Sequence, residues 1–273
     1  ESRAIGVTFA TVERKVLDRR VRTVGTVAYD ETKLATVTPK IEGWVERLHV
    51  DFTGAPVRRG QPLMEVYSPK LVTAQEELIL ARRLADEAGG ERAQRNAREL
   101  LESARRRLAY WDIPDAEIER IAGASEPSRT LTMRAPAGGV VVAKNVVEGD
   151  RIAPGMDVYR IADLSTVWVE AQVFEKDLSL VTEGQSATVR FQAYPGQPFE
   201  GRVTYVYPTV SMESRTGRVR IELANPDLRL RPGMYAEITL EAPGHHPVLA
   251  VPRTAVLATG EREVVFVRHD DGT

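Results

Sequence analysis

Pro39-Lys-Ile-Glu-Gly43-Trp-Val45, followed by Gly54-Ala-Pro-Val57-Arg-Arg-Gly60-Gln-Pro-Leu63-Met-Glu-Val66, returns further along the chain as Pro136-Ala-Gly-Gly139-Val-Val141 and Gly149-Asp-Arg-Ile152-Ala-Pro-Gly155-Met-Asp-Val158-Tyr-Arg-Ile161. In both copies the order is Gly, aliphatic, Gly, aliphatic, aliphatic, with the same spacing between them, and Gly43 or Gly139 stands upstream. Five positions in one register make an internal repeat. The glycines supply turns with positive φ, and the spaced aliphatics face a shared interior. Neither copy can bury its apolar face alone. The prediction is a small β-sandwich built from two halves, Thr38–Val66 and Thr132–Ile161, that pair across the segment between them.

That intervening segment is helical. Ser68-Pro69 reads as a helix start, with serine as N-cap and proline at the first helical position, where its missing N–H costs nothing. Leu71, Ala74, Leu78, Ala81, Ala85 and Ala88 recur at helical spacing up to Gly89-Gly90. A second helix opens at Glu91, with Ala93, Ala97, Leu100, Leu101, Ala104, Leu108 and Trp111 on one face. At 1.5 Å per residue the pair forms a hairpin roughly 30 Å long. Pro114-Asp-Ala-Glu-Ile118-Glu-Arg-Ile121 reads as a short third helix, so the insert either projects straight or folds into a three-helix bundle. Its many alanines and arginines fit a docking surface and a solvated hairpin equally well.

On either side the pattern has a period of two. Val21, Val24, Val27 and Tyr29 suggest a strand before the repeat. After it, Val167–Val173, Ala187–Phe191, Phe199–Tyr207, Arg218–Leu223 and Met234–Leu240 suggest a small antiparallel barrel. Glu175–Val181 reads as a helical turn. Gly244-His-His-Pro247 reads as a linker into another β unit, Val248–Val251, Ala255–Leu257 and Val264–Val267, which the N-terminal strands could complete.

At 273 residues, with 42% hydrophobic and 28% charged residues, the composition is that of a folded multidomain protein. A net charge of −2 leaves no basic footprint for nucleic acid. The absence of cysteine removes disulfides, thiolate metal sites and cysteine nucleophiles. The longest stretch free of charged residues, Ala242–Pro252, is far short of a membrane span. No signal peptide is present, and the closing Val264–Thr273 reads as a strand entering a turn with no return strand. Ends trimmed from a longer chain are therefore the expectation, and missing targeting signals say little about its address.

Catalytic signatures are absent. There is no nucleophile elbow, phosphate-binding loop, His-Glu-x-x-His helix or calcium loop. No enzyme activity, catalytic residue or cofactor is expected. The candidate metal ligands are His245 and His246, which read first as part of a polar linker. Met64, Met133, Met156, Met212 and Met234 are spread singly and read as packing residues.

Together the local motifs carry a resemblance. Gly25-Thr-Val-Ala-Tyr29-Asp-Glu31, Gly43-Trp-Val-Glu-Arg-Leu48, Tyr67-Ser-Pro-Lys-Leu71, Ala74-Gln-Glu-Glu77, Tyr207-Pro-Thr209, Arg215-Thr216, Asn225-Pro226, Leu230-Arg-Pro-Gly-Met234 and Val251-Pro252, in this order, resemble the periplasmic adaptors, or membrane fusion proteins, of RND-type heavy-metal efflux systems, in the copper/silver and cobalt/zinc/cadmium branch. The resemblance implies an elongated, mainly β, multidomain chain with an inserted helical hairpin or three-helix bundle. The expected divisions are a membrane-proximal β domain (1–27 and 244–273), a β-barrel (28–37 and 164–243), a lipoyl-like domain in two halves (38–67 and 128–163) and the helical domain (68–127). It also implies a periplasmic protein anchored at the inner membrane, with an inner-membrane RND pump, an outer-membrane channel and a metal cation as partners, and a homo-oligomeric ring whose size stays open, a hexamer being one choice. The hairpin tip, with Asp86, Gly89, Gly90 and Arg92, would face a partner. Three other readings share parts of the pattern: an adaptor for an ABC-type or drug RND exporter, a free-standing periplasmic metal-binding protein, and a lipoyl or biotinyl carrier. The last would need a lysine at the tight hairpin that Ser68–Pro127 here replaces.

Overall fold

The computed structural model describes residues 10–16, 19–242, 247–260 and 262–268. The chain divides into two units: 29–167 with 224–231, and 1–28 with 168–223 and 232–273.

The first unit holds the repeat. One four-stranded sheet runs in the order Leu34–Val37, Tyr159–Ala162, Gly139–Lys144, Pro56–Val57. The other runs Thr130–Arg134, Pro62–Tyr67, Gly43–Leu48, Arg151–Ile152. Each sheet takes two strands from each half. Exchanging every strand for its counterpart in the other half turns one order into the other, so the halves are related by a pseudo-twofold at the level of strand order.

The backbone hydrogen bonds obey the same exchange. The Gly54 amide donates to the Val141 carbonyl at 2.8 Å, and the Gly149 amide to that of Val45 at 2.7 Å. The Gly60 amide donates to Ala135 at 2.8 Å and the Gly155 amide to Pro39 at 3.1 Å. All four glycines have positive φ. Each half thus ties its turns to the other, which is why they pair across the insert. The spaced aliphatics meet in one core: Val57, Leu63 and Val66 from the first half, Ile152, Val158 and Ile161 from the second, none more than 5% exposed. Burial stabilises by about 1.5–3 kcal/mol per side chain of this size. Gly43 and Gly139 occupy a close approach: a Cβ at Gly43 would lie 2.4 Å from the Tyr67 carbonyl oxygen, and one at Gly139 2.3 Å from that of Ala162.

The insert contains three helices, α1 (Pro69–Glu87), α2 (Glu91–Ala109) and α3 (Asp115–Ala122). The Ser68 hydroxyl accepts the Leu71 amide at 3.4 Å, as its N-cap position predicts. Of the two arrangements left open, the folded bundle is the one adopted. Ile113, Ile118 and Ile121 are buried against Leu71, Leu78, Leu101 and Leu108. A straight hairpin would leave those three isoleucines in water. Because α3 is short, the bundle core covers only the root of the hairpin. Ala93 and Leu100 of the expected α2 face are therefore exposed and Ala97 only half-buried, while Leu101, Ala104 and Leu108 are buried. Buried Gln75 closes the root, accepting the Ser128 amide and donating to its carbonyl, both at 3.0 Å.

The second unit carries most of a closed six-stranded barrel: Thr166–Phe174, Thr216–Ala224, Phe199–Val210, Ser186–Phe191, Tyr235–Ala242 and Arg19–Tyr29, the last returning to the first. Val169, Ala171, Val173, Val189, Val219, Ile221, Ile238 and Leu240 fill its interior. Here the expected boundaries shift. Arg19–Tyr29 lies antiparallel to Tyr235–Ala242, with Val21 opposite Leu240, so residues 19–27 belong to the barrel rather than to the separate β domain expected for 1–27. Val21 and Val27 are buried while Arg20 and Arg22 are exposed, the alternation of a barrel strand. Leu34–Val37, expected in the barrel, instead pairs with Tyr159–Ala162 in the sandwich. Outside the barrel, Glu13–Val16 pairs with Pro247–Ala250 and Leu257–Ala258 with Glu263–Val264. Glu175–Leu178 forms the single helical turn.

Candidate docking surfaces

Among the described residues no group of three or more histidines, aspartates and glutamates is placed to hold a metal ion. His245 and His246 lie outside the described residues. The chemistry on view is that of surfaces, and three stand out.

The hairpin tip comes first. Asp86 is exposed and held by Arg82 one turn earlier at 3.0 Å. Gly89 and Gly90 have open space where a Cβ would stand, and Gly90 has φ +85, so the tight reversal needs glycine there. Arg92 is exposed. The structure thus gathers the four expected contact residues at one exposed end. It adds three that the periodicity did not single out as exposed: Leu80, Leu84 and Leu100, each 43–54% exposed. At about 100° per residue, Leu80 and Leu84 share a face of α1 with Glu77, and Leu100 shares one of α2 with Arg107. Glu77 and Arg107 form an ion pair, which turns the two faces to the same side.

The second surface is the outer face of one sandwich sheet. Arg151, Trp44, Tyr67 and Thr130 lie in one row across its four strands. Trp44 is 41% exposed, its ring 6.2 Å from that of Tyr67. The Arg151 guanidinium lies over Trp44 at 5.9 Å and that of Arg129 over Tyr67 at 5.1 Å. Glu42 and Glu46 steady these cations, at 3.3 Å to Arg151 and 2.6 Å to Arg129. The Glu42 carboxyl is held below its ordinary range by Lys70 first and Arg151 second. Exchange of the halves puts Val140 in the place of Trp44 and Ala162 in that of Tyr67. The fold therefore does not require the aromatics.

The third surface is on the barrel. Arg220 stacks over Trp168 at 4.1 Å and faces Tyr205 at 5.4 Å; Arg218 lies 4.4 Å from Tyr207. Arg218 also pairs with Glu170 at 3.7 Å, and Arg220 Nε donates to the Thr204 hydroxyl at 3.1 Å. Arg218 and Arg220 sit on one strand and the tyrosines on its neighbour, two residues apart in each case, so the pattern is a ladder. The opposite outer face carries Arg20, Arg22 and Arg190 interleaved with Glu237 and Glu241, with Tyr235 exposed at the start of its strand and no arginine–aromatic stack shown on it among the described residues. Tryptophan, tyrosine and arginine are the residues enriched where binding energy concentrates. Their alternation with charge left these faces unremarked in the linear sequence.

Comparison with known proteins gives two family models. Residues 34–162 match the barrel-sandwich hybrid domain of CusB, and residues 166–244 match the CusB-like β-barrel domain. The chain is 30% identical over 272 residues to the cation efflux system protein CusB of Escherichia coli K12, covering all of this chain and 64% of that protein. It is 31% identical over 281 residues to the cation efflux system protein CzcB of Alcaligenes sp. CT14, covering 98% of this chain and 54% of that one. The chain thus spans somewhat over half the length of these relatives. Among solved structures, ZneB from Cupriavidus metallidurans superposes with a TM-score of 0.57 at 29% identity, covering 83% of this chain and 99% of ZneB.

Proposed function

Since this chain belongs to the CusB-like family of adaptors of heavy-metal RND efflux systems, we propose that it is part of a periplasmic adaptor linking an inner-membrane, proton-driven RND pump to an outer-membrane channel for export of a heavy-metal cation. The observation that carries the reading is the split sandwich holding a helical insert and followed by a closed barrel, in the family's order. Among the described residues no helix is long and apolar enough to cross a membrane. Membrane attachment in this reading belongs to the longer protein.

The work is mechanical. The barrel, with the β unit built on residues 13–16 and 247–264, docks on the pump, and the face of Arg218, Arg220 and Tyr205, backed by buried Trp168, supplies an anchor of the right composition. Sandwiches of neighbouring copies pack side by side in a ring. The tip at Asp86, Gly89, Gly90 and Arg92 meets the channel or a neighbouring adaptor, the exposed leucines adding apolar area. The cation is cargo, and His245 and His246 are candidates for holding it in passing.

The test is tolerance to copper, silver, zinc, cobalt and cadmium in cells lacking the full-length protein and in cells given it back. Restored tolerance to a subset of the cations, together with co-purification of an RND pump, is the expected result. Unchanged tolerance to all five, or co-purification of an ABC-type exporter instead, overturns it.

A further inference from the structure

Where the α2–α3 turn meets the sandwich, the first unit has a cleft of about 660 Å³, within the roughly 300–1,000 Å³ that small-molecule sites span. Its floor is apolar: Ile113 and Ala135 are buried, and Trp111, Leu131 and Met133 are half-buried. Neither half of the sandwich nor the bundle core uses the open side of that floor.

The rim is charged, and unevenly. Four basic side chains line the cleft, Lys40, Arg59, Arg120 and Arg134, against two acidic ones, Asp112 and Glu117. Two of the cations are already neutralised. Lys40 pairs with Asp112 at 2.8 Å, and Arg120 grips Glu117 with two hydrogen bonds of 3.0 and 2.5 Å. Among the described residues neither Arg59 nor Arg134 makes a salt bridge to a carboxylate, although Arg134 is near enough to Glu117 to help hold its carboxyl below the ordinary range, after the larger effect of Arg120. Arg134 Nη1 donates to the Gly60 carbonyl at 3.1 Å, which holds its guanidinium beside the turn that carries Arg59. A planar guanidinium with free donors is built to take a carboxylate, sulfonate or phosphate.

From the apolar floor and the two guanidiniums on its rim that make no salt bridge, we infer that this cleft binds a small amphiphilic anion, an apolar body carrying a single acidic head. The body lies over Trp111, Leu131 and Met133, and the head meets Arg59 and Arg134. The site is separate from the docking surfaces and independent of which pump or cation the protein serves.

The probes are dodecanoate, dodecylamine as its cationic counterpart, and 12-bromododecanoate as a fluorescence quencher. Saturable quenching by the brominated acid, lost in Trp111→Phe, is expected, as is at least tenfold weaker binding in the Arg59→Ala/Arg134→Ala variant. A methionine-methyl NMR spectrum keeps the test decisive should Trp111→Phe unfold the bundle. In the unaltered protein, dodecanoate should shift the Met133 signal and leave that of Met212, which is 96% exposed on the barrel, in place. Equal affinity for dodecylamine, quenching that survives Trp111→Phe, or an unmoved Met133 signal each overturns the inference. So does a Met133 shift produced by phosphatidylglycerol vesicles and not by free dodecanoate, which would make the site a membrane contact.

Discussion

The two halves of the sandwich agree at the aliphatic positions of the repeat that face inward and diverge where they face outward. Leu63 and Val158 are counterparts, as are Val66 and Ile161, and all four are fully buried. Trp44 and Val140 are also counterparts, yet one anchors an aromatic row under two guanidiniums and the other is a plain aliphatic. Packing constrains the interior of both halves alike, because each aliphatic fills volume that its partner half leaves open. The outer faces carry no such constraint. A difference there is information about what the surface meets.

The largest effect should come from breaking the shared interior. Leu63→Ala is expected to cost about 2–5 kcal/mol, and Val158→Ala somewhat less because it removes fewer atoms. Both should appear as lowered midpoints in chemical denaturation, and a near-neutral result in one half alone would mean that the halves are not energetically equivalent.

Tyr159 offers a sharper contrast, because its counterpart is Met64. Its hydroxyl donates to the Val50 carbonyl at 2.7 Å, and burial, with a lesser push from Asp51, raises its pKa to about 12. Since the folded pKa lies above the unfolded one, the contribution is complete below about pH 10. It should disappear as pH rises to about 12, a loss of about 2–3 kcal/mol. Tyr159→Phe should start about 1 kcal/mol less stable and stay flatter across that window. Parallel alkaline denaturation curves for the two proteins would contradict this.

Gly43→Ala and Gly139→Ala push a methyl into a backbone carbonyl in each half. About 1–3 kcal/mol is expected for each, with Gly139 the worse because its φ of +151 adds strain. Thermal melts would rank them. The smallest effect on folding belongs to Trp44→Val, which gives one outer face the residue of the other. Stability should move by about 1 kcal/mol or less, while co-purification of a neighbouring copy or the pump should weaken. If binding is unaffected, the aromatic row serves something other than assembly.

Much of this is legible in the linear chain. The repeat is visible because glycine turns and core aliphatics are forced to recur where two halves share one backbone plan. The start of α1 is visible because Ser68 and Pro69 act locally, through one N-cap bond and one missing donor. The hairpin reversal at Gly89 and Gly90 is local too. Less visible is the barrel's closing strand. Val21 and Val27 suggest a strand, but only its pairing with Tyr235–Ala242 places it in the barrel rather than with the expected terminal β domain. The exposed leucines of the tip are also hidden, since helical spacing shows which residues share a face but not where the third helix stops covering it.

Residue order and spacing suffice for the two-half sandwich, the helical insert between the halves and the β character of the segment beyond Ile161, because each rests on neighbours along the chain or on a spacing that repeats. Folding in three dimensions settles which half supplies which strand to each sheet, that α3 folds back onto α1 and α2, and where arginines meet aromatics. Those outcomes join residues far apart in sequence, such as Arg129 with Glu46 and Tyr67, or Arg220 with Trp168. Their energies depend on distances that only the folded chain creates.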